Sequence, residues 1–303
     1  MSKSIFQNKE KEGSDNSRST KIMKIAAGAL AGVLCITALP KVQAQTMRIA
    51  SYNIRNENTY DTGNLWKDRV GHVAGLIKFH EFDIFGVQEA LEHQLETLQA
   101  ASPDYAYYGI GRDDGKLAGE HESIFYKKDK FKVLDKGDFW LSATPDVPSK
   151  SWDAPCCNRI CSWVKLEAKA TGKSFYVFNA HYDYEKDYAR NQSSILMLKK
   201  IKEIAGNHPV IMVGDINGDN NSSWYKTLEA SDKLEDSYVL AKDPYTPRGS
   251  FNEFGKYEDG EFIDHIFCSK EFTVGKWGVL SDTYGKLKFP ADHCPILAVL
   301  TLK

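Results

Sequence analysis

The chain has 303 residues, with 39 Lys and Arg against 41 Asp and Glu. A leader-like stretch, residues 1–44, holds seven of the basic and three of the acidic residues, leaving 32 and 38 in the 259 residues that follow and a net charge near −6 there. Non-specific nucleic-acid binders usually carry a basic excess, because neutralised phosphates supply their affinity, so the balance argues against that class. No Pro/Gly/Ser linker, like-charge block or repeat interrupts 45–303, and one large α/β domain is expected there.

Lys21 and Lys24 precede an apolar run from Ile25 to Leu39, and Val42-Gln43-Ala44 resembles a small-residue cleavage site. The pattern predicts an exported protein, periplasmic or secreted, whose mature part begins near Gln45. A start at Met23 would give the leader an ordinary length. The fifteen-residue apolar run is short for a membrane span of ~20, and Leu34 before Cys35 does not fit a lipoprotein signal. No stable membrane insertion is expected after cleavage.

The first expected strand is 47–53, followed by an amphipathic helix over 65–80 with Trp66, Val70, Val73 and Ile77 at helical spacing. Residues 82–87 read as a buried strand, and Leu91, Leu95 and Leu98 mark a second helix. Aromatic and β-branched runs at 105–110, 122–127, 131–141, 159–168 and 174–181 predict a block of antiparallel strands. In that block, Tyr105-Ala106-Tyr107-Tyr108 reads as core rather than as a membrane-docking hairpin. A helix over 187–205 is expected to bury Ile195, Leu198 and Ile201. A strand at 209–214, a short helix near 222–230 and strands at 262–268 and 296–302 complete the chain. Strand–helix units on either side of a strand meander imply two packed sheets with helices outside.

Five cysteines follow the leader. Cys156, Cys157 and Cys161 crowd one loop, where a fourth zinc ligand is missing. A local disulfide such as Cys157–Cys161 is the alternative, while Cys268 and Cys294 read as buried thiols.

Polar residues collect where the apolar strands finish. Asn53 ends the first, Gln88-Glu89 the second, and His181 and Asp183 follow Tyr176–Ala180. Asp215 and Asn217 sit two apart after Pro209–Val213, which places a carboxylate and a carboxamide on one side of a strand end. The first can take a proton from water, and the second can hold that water or a phosphoryl oxygen without adding charge. Asp264 lies inside the apolar run 262–267, where an acid is costly unless paired, and His293 is its natural partner. Each of these alone reads as a cap or turn; six such strand ends in one chain point to a shared site.

These motifs are Ser51-Tyr52-Asn53-Ile54-Arg55, Gln88-Glu89, His181-Tyr182-Asp183, Gly214-Asp215-Ile216-Asn217, Ile263-Asp264-His265-Ile266 and Asp292-His293-Cys294-Pro295. In this order the chain resembles the endonuclease/exonuclease/phosphatase superfamily from Met47 to Lys303. Gly111-Arg112-Asp113-Asp114-Gly115, Gly119-Glu120 and the segment from Trp152 to Trp163 are similar to its secreted bacterial branch. The resemblance implies a DNase I-like, four-layer α/β/β/α sandwich of two mixed, largely antiparallel sheets. It implies that Glu89, with Asn53 and Asp292, holds Mg²⁺ or Mn²⁺, hard ions that suit oxygen ligands. Asp215 would orient or deprotonate the attacking water, Asn217 would hold the phosphoryl group, and His293, steered by Asp264, would donate to the phosphate. His181 would contact the phosphate from the opposite wall with Glu120 as partner, Glu122 competing for that role.

Arg112 and Arg159 are either phosphate clamps or salt-bridge residues, and Asp183 is grouped with them on the substrate side. Asp113, Asp114 and Asp187 read as loop or cap residues. His265, Phe262 and Tyr184 depart from common residues of the family on the substrate side. The expected activity is hydrolysis of a phosphate ester, with a phosphorylated small molecule or a phosphodiester as substrate, acting as a monomer. A secreted nuclease on DNA or RNA is the alternative. An inactive binding module would normally have lost Glu89, Asp215 or His293, and all three are present.

Overall fold

The computed structural model describes residues 44–303. Of the expected leader, residues 1–44, all but Ala44 lie outside the described residues. Along the chain run β1 (Gln45–Asn53), α1 (Trp66–Phe79), β2 (Ile84–Gln88), α2 (Glu92–Ala101), β3 (Tyr105–Tyr108), β4 (Ile124–Lys127), β5 (Phe131–Trp140), β6 (Ile160–Ala168) and β7 (Ser174–His181). Then come α3 (Asp187–Ala205), β8 (Val210–Asp215), α4 (Ser223–Glu229), β9 (Glu235–Asp236), α5 (Ser237–Leu240), β10 (Asp243–Tyr245), β11 (Asp264–Cys268), β12 (Phe272–Val279) and β13 (Ile296–Leu302).

The strands form two sheets, ordered β10-β12-β13-β1-β2-β4-β3 and β5-β6-β7-β8-β11-β9. Each sheet contains a parallel pair, β1 with β2 and β7 with β8, joined through α1 and α3 respectively. Of the other neighbours only β10 and β12 run parallel, so both sheets are mixed and mainly antiparallel.

Period-two alternation builds the layers. In β7, Phe175 and Val177 face the core between the sheets, whereas Tyr176, Phe178 and Ala180 pack under the helices that hold Met197, Ile201 and Trp224. In β1, Met47 and Ile49 join the inter-sheet core, while Ala50 and Tyr52 lie under α1 and α2. The result is the expected α/β/β/α sandwich.

Three local readings differ from the sequence. Helix α3 buries Ala189, Arg190, Ser193, Ser194, Met197 and Ile201, while Ile195 is exposed and Leu198 only half-buried. Its buried hydroxyls are satisfied: Ser193 Oγ donates to Ala189 O at 2.8 Å and Ser194 Oγ to Trp224 O at 2.8 Å. Strand β12 is an addition; Gly275 and Gly278, with a register shift between Val274 and Trp277, break its apolar alternation. The cysteine loop pairs Cys156 with its neighbour Cys157 rather than Cys157 with Cys161. Cys161 is a free, buried residue of β6, whose side chain points into the core beneath α3. Among the described residues no helix is long and apolar enough to cross a membrane.

Candidate active site

The two parallel pairs end at one rim. Asn53 pairs with Gln88 across β1 and β2, and His181 with Asp215 across β7 and β8. The antiparallel β11 begins there, with Asp264 opposite Asp215, and β13 begins just after Asp292-His293. A buried polar tie holds the sheets together below the rim. Asn179 of β7 donates from Nδ2 to Val87 O at 2.8 Å and to Ser123 O at 3.0 Å, and its Oδ1 accepts from Gln88 Nε2 at 2.6 Å. Gly86 makes room for it: a Cβ there would lie 2.6 Å from Asn179 Cγ.

On one wall, His293 Nδ1 lies 2.8 Å from Asp264 Oδ2, and His293 Nε2 lies 3.8 Å from Asp215 Oδ2. Burial opposes a charged imidazole, but Asp264, with Asp215 and Asp292, outweighs it and lifts His293 to about 10. Burial, with Asp264 beside it, pushes the Asp215 carboxyl up to about 7. Asp215 Oδ1 accepts from Asn217 N at 2.9 Å, and Asn217, left-handed at φ 50°, turns its Nδ2 to within 3.2 Å of His181 Nε2.

At the floor, Glu89 Oε1 accepts from Asn53 Nδ2 at 3.0 Å, and the same amide nitrogen lies 3.1 Å from Asp215 Oδ2. Arg55 reaches between the acids, with Nη1 3.7 Å from Glu89 Oε2 and Nε 3.6 Å from Asp292 Oδ2. Burial pushes Asp292 up to about 6, and its Oδ1 has no partner.

The opposite wall carries His181, Arg112, Arg159, Glu120 and Glu122. The carboxylate oxygen of Glu122 lies 3.8 Å from His181 Nδ1, while Glu120 accepts from Arg112 Nη1 and, at 2.8 Å, from Asn56 Nδ2. Glu122 thus stands in the place expected for Glu120. Burial, then Arg159 and Arg112, holds His181 well below its usual range. Arg112 and Arg159 are both nearly fully buried, and Arg159 Nε and Nη1 have no acceptor. Asp183 does not line the cleft: it is fully buried and its Oδ1 accepts from the N–H groups of Glu185 and Lys186 at the start of α3. Asp114 accepts from the loop N–H groups of Lys116 and Ala118, as expected, while Asp187, the first residue of α3, pairs with Arg190 instead of capping.

These walls enclose a cleft of about 520 Å³ that includes Glu89, Arg112, Glu120, Arg159, His181, Asp215, Asn217, Asp292 and His293. Asn53 and Asp264 support it from behind. Residues 50–293 match the endonuclease/exonuclease/phosphatase family. The chain belongs to that family. An endonuclease/exonuclease/phosphatase family protein of Bacteroides thetaiotaomicron is 43% identical, with a TM-score of 0.83 over 86% of this chain and 99% of that one. The mannosyl-6-phosphatase of the same organism is 44% identical, with a TM-score of 0.81 over 84% and 99% of the two chains. The human nocturnin catalytic domain, 18% identical, with a TM-score of 0.67 over 88% of this chain and all of that one, shares the fold.

Hydrolases of the endonuclease/exonuclease/phosphatase family act on phosphate esters and generally use a divalent ion. The floor fits such an ion. Glu89 and Asp292 supply hard oxygen donors, the unpartnered Asp292 Oδ1 among them. Two other acid–His groups, Glu120–Glu122–His181 and Asp215–Asp264–His293, are close enough to ligate. Two arginines oppose a cation at the first, and the second is already joined by the Asp264–His293 hydrogen bond.

Two further residues support this site: Arg69, which the sequence did not single out, and His265, expected on the substrate side but buried. Arg69 is fully buried on α1 and donates to Ile54 O at 2.9 Å and Pro290 O at 2.8 Å, tying the segment after Asn53 to the one before Asp292. A charged residue on the buried face of an amphipathic helix was the available signal. His265 lies 3.1 Å through Nδ1 from Asp236 Oδ2 and 2.9 Å through Nε2 from Gly218 O, which steadies the loop after Asn217. A second cavity of about 640 Å³, lined by Trp224, Tyr238, Phe262 and Trp277, adjoins the cleft at Asn217, Glu261 and Ile263 but contains none of Glu89, His181 or His293.

Proposed function

We propose that the protein is an exported, metal-dependent phosphomonoesterase that acts, through one domain spanning 45–303, on a small phosphorylated metabolite, a sugar phosphate foremost. The observation that carries this reading is the pair of buried guanidiniums, Arg112 and Arg159, on the wall beside His181, with donors of Arg159 unpaired. Two fixed cations suit the two charges of a terminal phosphate, whereas a diester carries one. A 44% identical relative is a mannosyl-6-phosphatase, which agrees with it. Export is supported by the basic–apolar–small pattern of residues 21–44.

In this reading Asp215 takes the proton of the attacking water. Its carboxyl, raised to about 7, is suited to a base that works near neutral pH. The Asn217 backbone N–H fixes one of its oxygens, and the other accepts from Asn53 Nδ2 at 3.1 Å and lies between the Nε2 atoms of His181 and His293. His293, kept cationic by Asp264, donates to a phosphoryl oxygen as negative charge grows there. Arg112 and Arg159 hold the remaining oxygens from the far side, with the neutral His181 and the Asn217 amide between. Glu89, Asp292 and, after rotation of its amide, Asn53 would hold Mg²⁺ or Mn²⁺, which supplies Lewis-acid polarisation of the phosphate.

The test compares phosphate release from mannose 6-phosphate, p-nitrophenol release from bis-p-nitrophenyl phosphate and cleavage of plasmid DNA by the mature chain, each with Mg²⁺ and with EDTA. The reading requires Mg²⁺-dependent release from the monoester in preference to both diesters. Faster cleavage of DNA would replace it with the nuclease alternative.

A further inference from the structure

One arm of the cleft is not used by the phosphate chemistry. It is lined by Arg55, Asp61, Glu253, Phe254 and Lys256. Its backbone is unusual: Glu253, Phe254 and Gly255 are consecutively left-handed, with φ of 48°, 55° and 91°. Glycine adopts this conformation freely, but a bulky side chain avoids it. The surrounding hydrogen bonds enforce it. Asn252 N and Glu253 N both donate to Asp292 O, at 2.7 and 3.0 Å, and Asn252 Oδ1 accepts from Gly255 N at 2.9 Å. The segment is therefore clamped to the residue before His293, and its turn brings both Glu253 and Phe254 into the cleft lining. Backbone strain that is held in place beside a cleft marks ligand clamps.

The arm opens from the same cleft as the phosphate-side residues and offers the leaving alcohol a place beside them. In-line displacement sends the leaving oxygen away from the attacking water. The water is served by Asp215 and Asn217. Arg55 joins the arm to the floor acids Glu89 and Asp292, and Asp292 carries the Glu253–Phe254 segment on its carbonyl.

We propose that the left-handed Glu253–Phe254 segment grips the leaving alcohol and that this alcohol is a neutral, polyhydroxylated ring of hexose size. The proposal rests on the phosphomonoesterase reading and adds the site and chemistry of the alcohol. The charges in the arm are internally balanced. Arg55 pairs with Asp61 at 2.9 Å and Lys256 pairs with Glu253, so no net charge calls for an ionic leaving group. The same four side chains line the cleft with N–H donors and carboxylate acceptors, the two kinds of group that vicinal hydroxyls bind. One face of the half-buried Phe254 ring covers Arg69, whose Cζ is 5.3 Å from the ring centroid; the ring borders the cleft as an apolar surface for the C–H face of a sugar.

The experiment compares phosphate release from mannose 6-phosphate and from ethyl phosphate, with Mg²⁺, by the wild type and by Phe254→Ala, Phe254→Leu and Glu253→Gln. Phe254→Leu keeps apolar bulk and guards against misfolding, and thermal melts confirm folding of each variant. Phe254→Ala and Glu253→Gln should raise KM for mannose 6-phosphate about tenfold or more and leave kcat/KM on ethyl phosphate within about twofold, with Phe254→Leu in between. Equal losses on both substrates would make the segment a structural support of the site and overturn the proposal, as would unchanged KM for the sugar phosphate. A wild type that releases phosphate from neither ester would overturn the phosphomonoesterase reading itself, and the clamp with it.

Discussion

The Nδ1 of His293 lies 2.8 Å from the Oδ2 of Asp264, and both side chains are buried. The other oxygen of Asp264 has no partner, so its buried charge is directed at the imidazole. Removing either residue should remove the same contact to the phosphate. Asp264→Asn and His293→Ala should each slow hydrolysis by about 10²–10⁴, the usual scale for a positioned acid–base group. The double variant should be little worse than the poorer single one. Multiplicative losses in a double-mutant cycle on folded, Mg²⁺-saturated enzyme would separate the two residues and end the dyad.

Glu89 is the floor carboxylate that accepts from Asn53, at 3.0 Å, and it lies 3.7 Å from Arg55. Glu89→Gln exchanges a hard anionic donor for an amide and should raise the Mg²⁺ concentration needed for half-maximal activity about tenfold or more. The Tm gain on adding Mg²⁺ should shrink in parallel, because only an ion bound to the folded state stabilises it. A variant with wild-type Mg²⁺ dependence in both readouts would remove Glu89 from the metal site.

The layers and most of the rim were legible in the sequence because strand alternation and strand-end polar residues are local signals. Asp264 inside an apolar run announced its need for a partner, and His293 is that partner. The choice between Glu120 and Glu122 was not legible. Both alternate to the same side of an extended segment, and only the path of Arg112 decides that Glu120 is engaged and Glu122 faces His181. Asp183 illustrates the opposite failure: it sits in a site motif, yet its carboxylate serves the turn into α3. Helix α3 was misphased because serines that satisfy themselves on carbonyls bury without any apolar signal.

The contact of Gly86 with Asn179 should control stability near the rim. A Cβ at Gly86 would lie 2.5 Å from Val213 Cγ2 and 2.6 Å from Asn179 Cγ, both in the facing sheet. Gly86→Ala should therefore cost about 1–3 kcal/mol. Asn179→Ala strips hydrogen bonds from Gln88, Val87 and Ser123 and should cost about as much. Gly71→Ala, in α1 with nothing within 4 Å of the added carbon, should be neutral or stabilising by up to about 1 kcal/mol. Denaturant unfolding decides; a Gly86→Ala protein as stable as the wild type would refute the close-approach argument.

Glu122 should give the fold a pH signature. It is fully buried with both oxygens unpartnered, facing Arg112, Arg159, Glu120, Glu89 and His181. Burial dominates over the arginines and pushes its carboxyl from the ordinary 4.5 up to about 8. His181, held well below its usual range, works the other way below about pH 6.5, where the unfolded imidazole takes up a proton that the native one does not, but Glu122→Gln shares that effect and it cancels in the comparison. A carboxyl raised on folding binds its proton more tightly in the native than in the unfolded chain. Its contribution is complete below the unfolded pKa and is lost as pH climbs toward the folded one. Between about pH 5 and 8 the native state carries the extra proton, so stability falls by up to ~1.4 kcal/mol per pH unit from this group alone. Glu122→Gln is neutral at every pH and lacks this slope. The Tm of the wild type should therefore fall relative to that of Glu122→Gln as pH rises through this window, by roughly 2–4 °C per kcal/mol for a domain of this size. Melting both proteins from about pH 5 to 9 tests the assignment, and parallel curves would show that Glu122 is already ionised in the folded protein, held by Arg112 and Arg159.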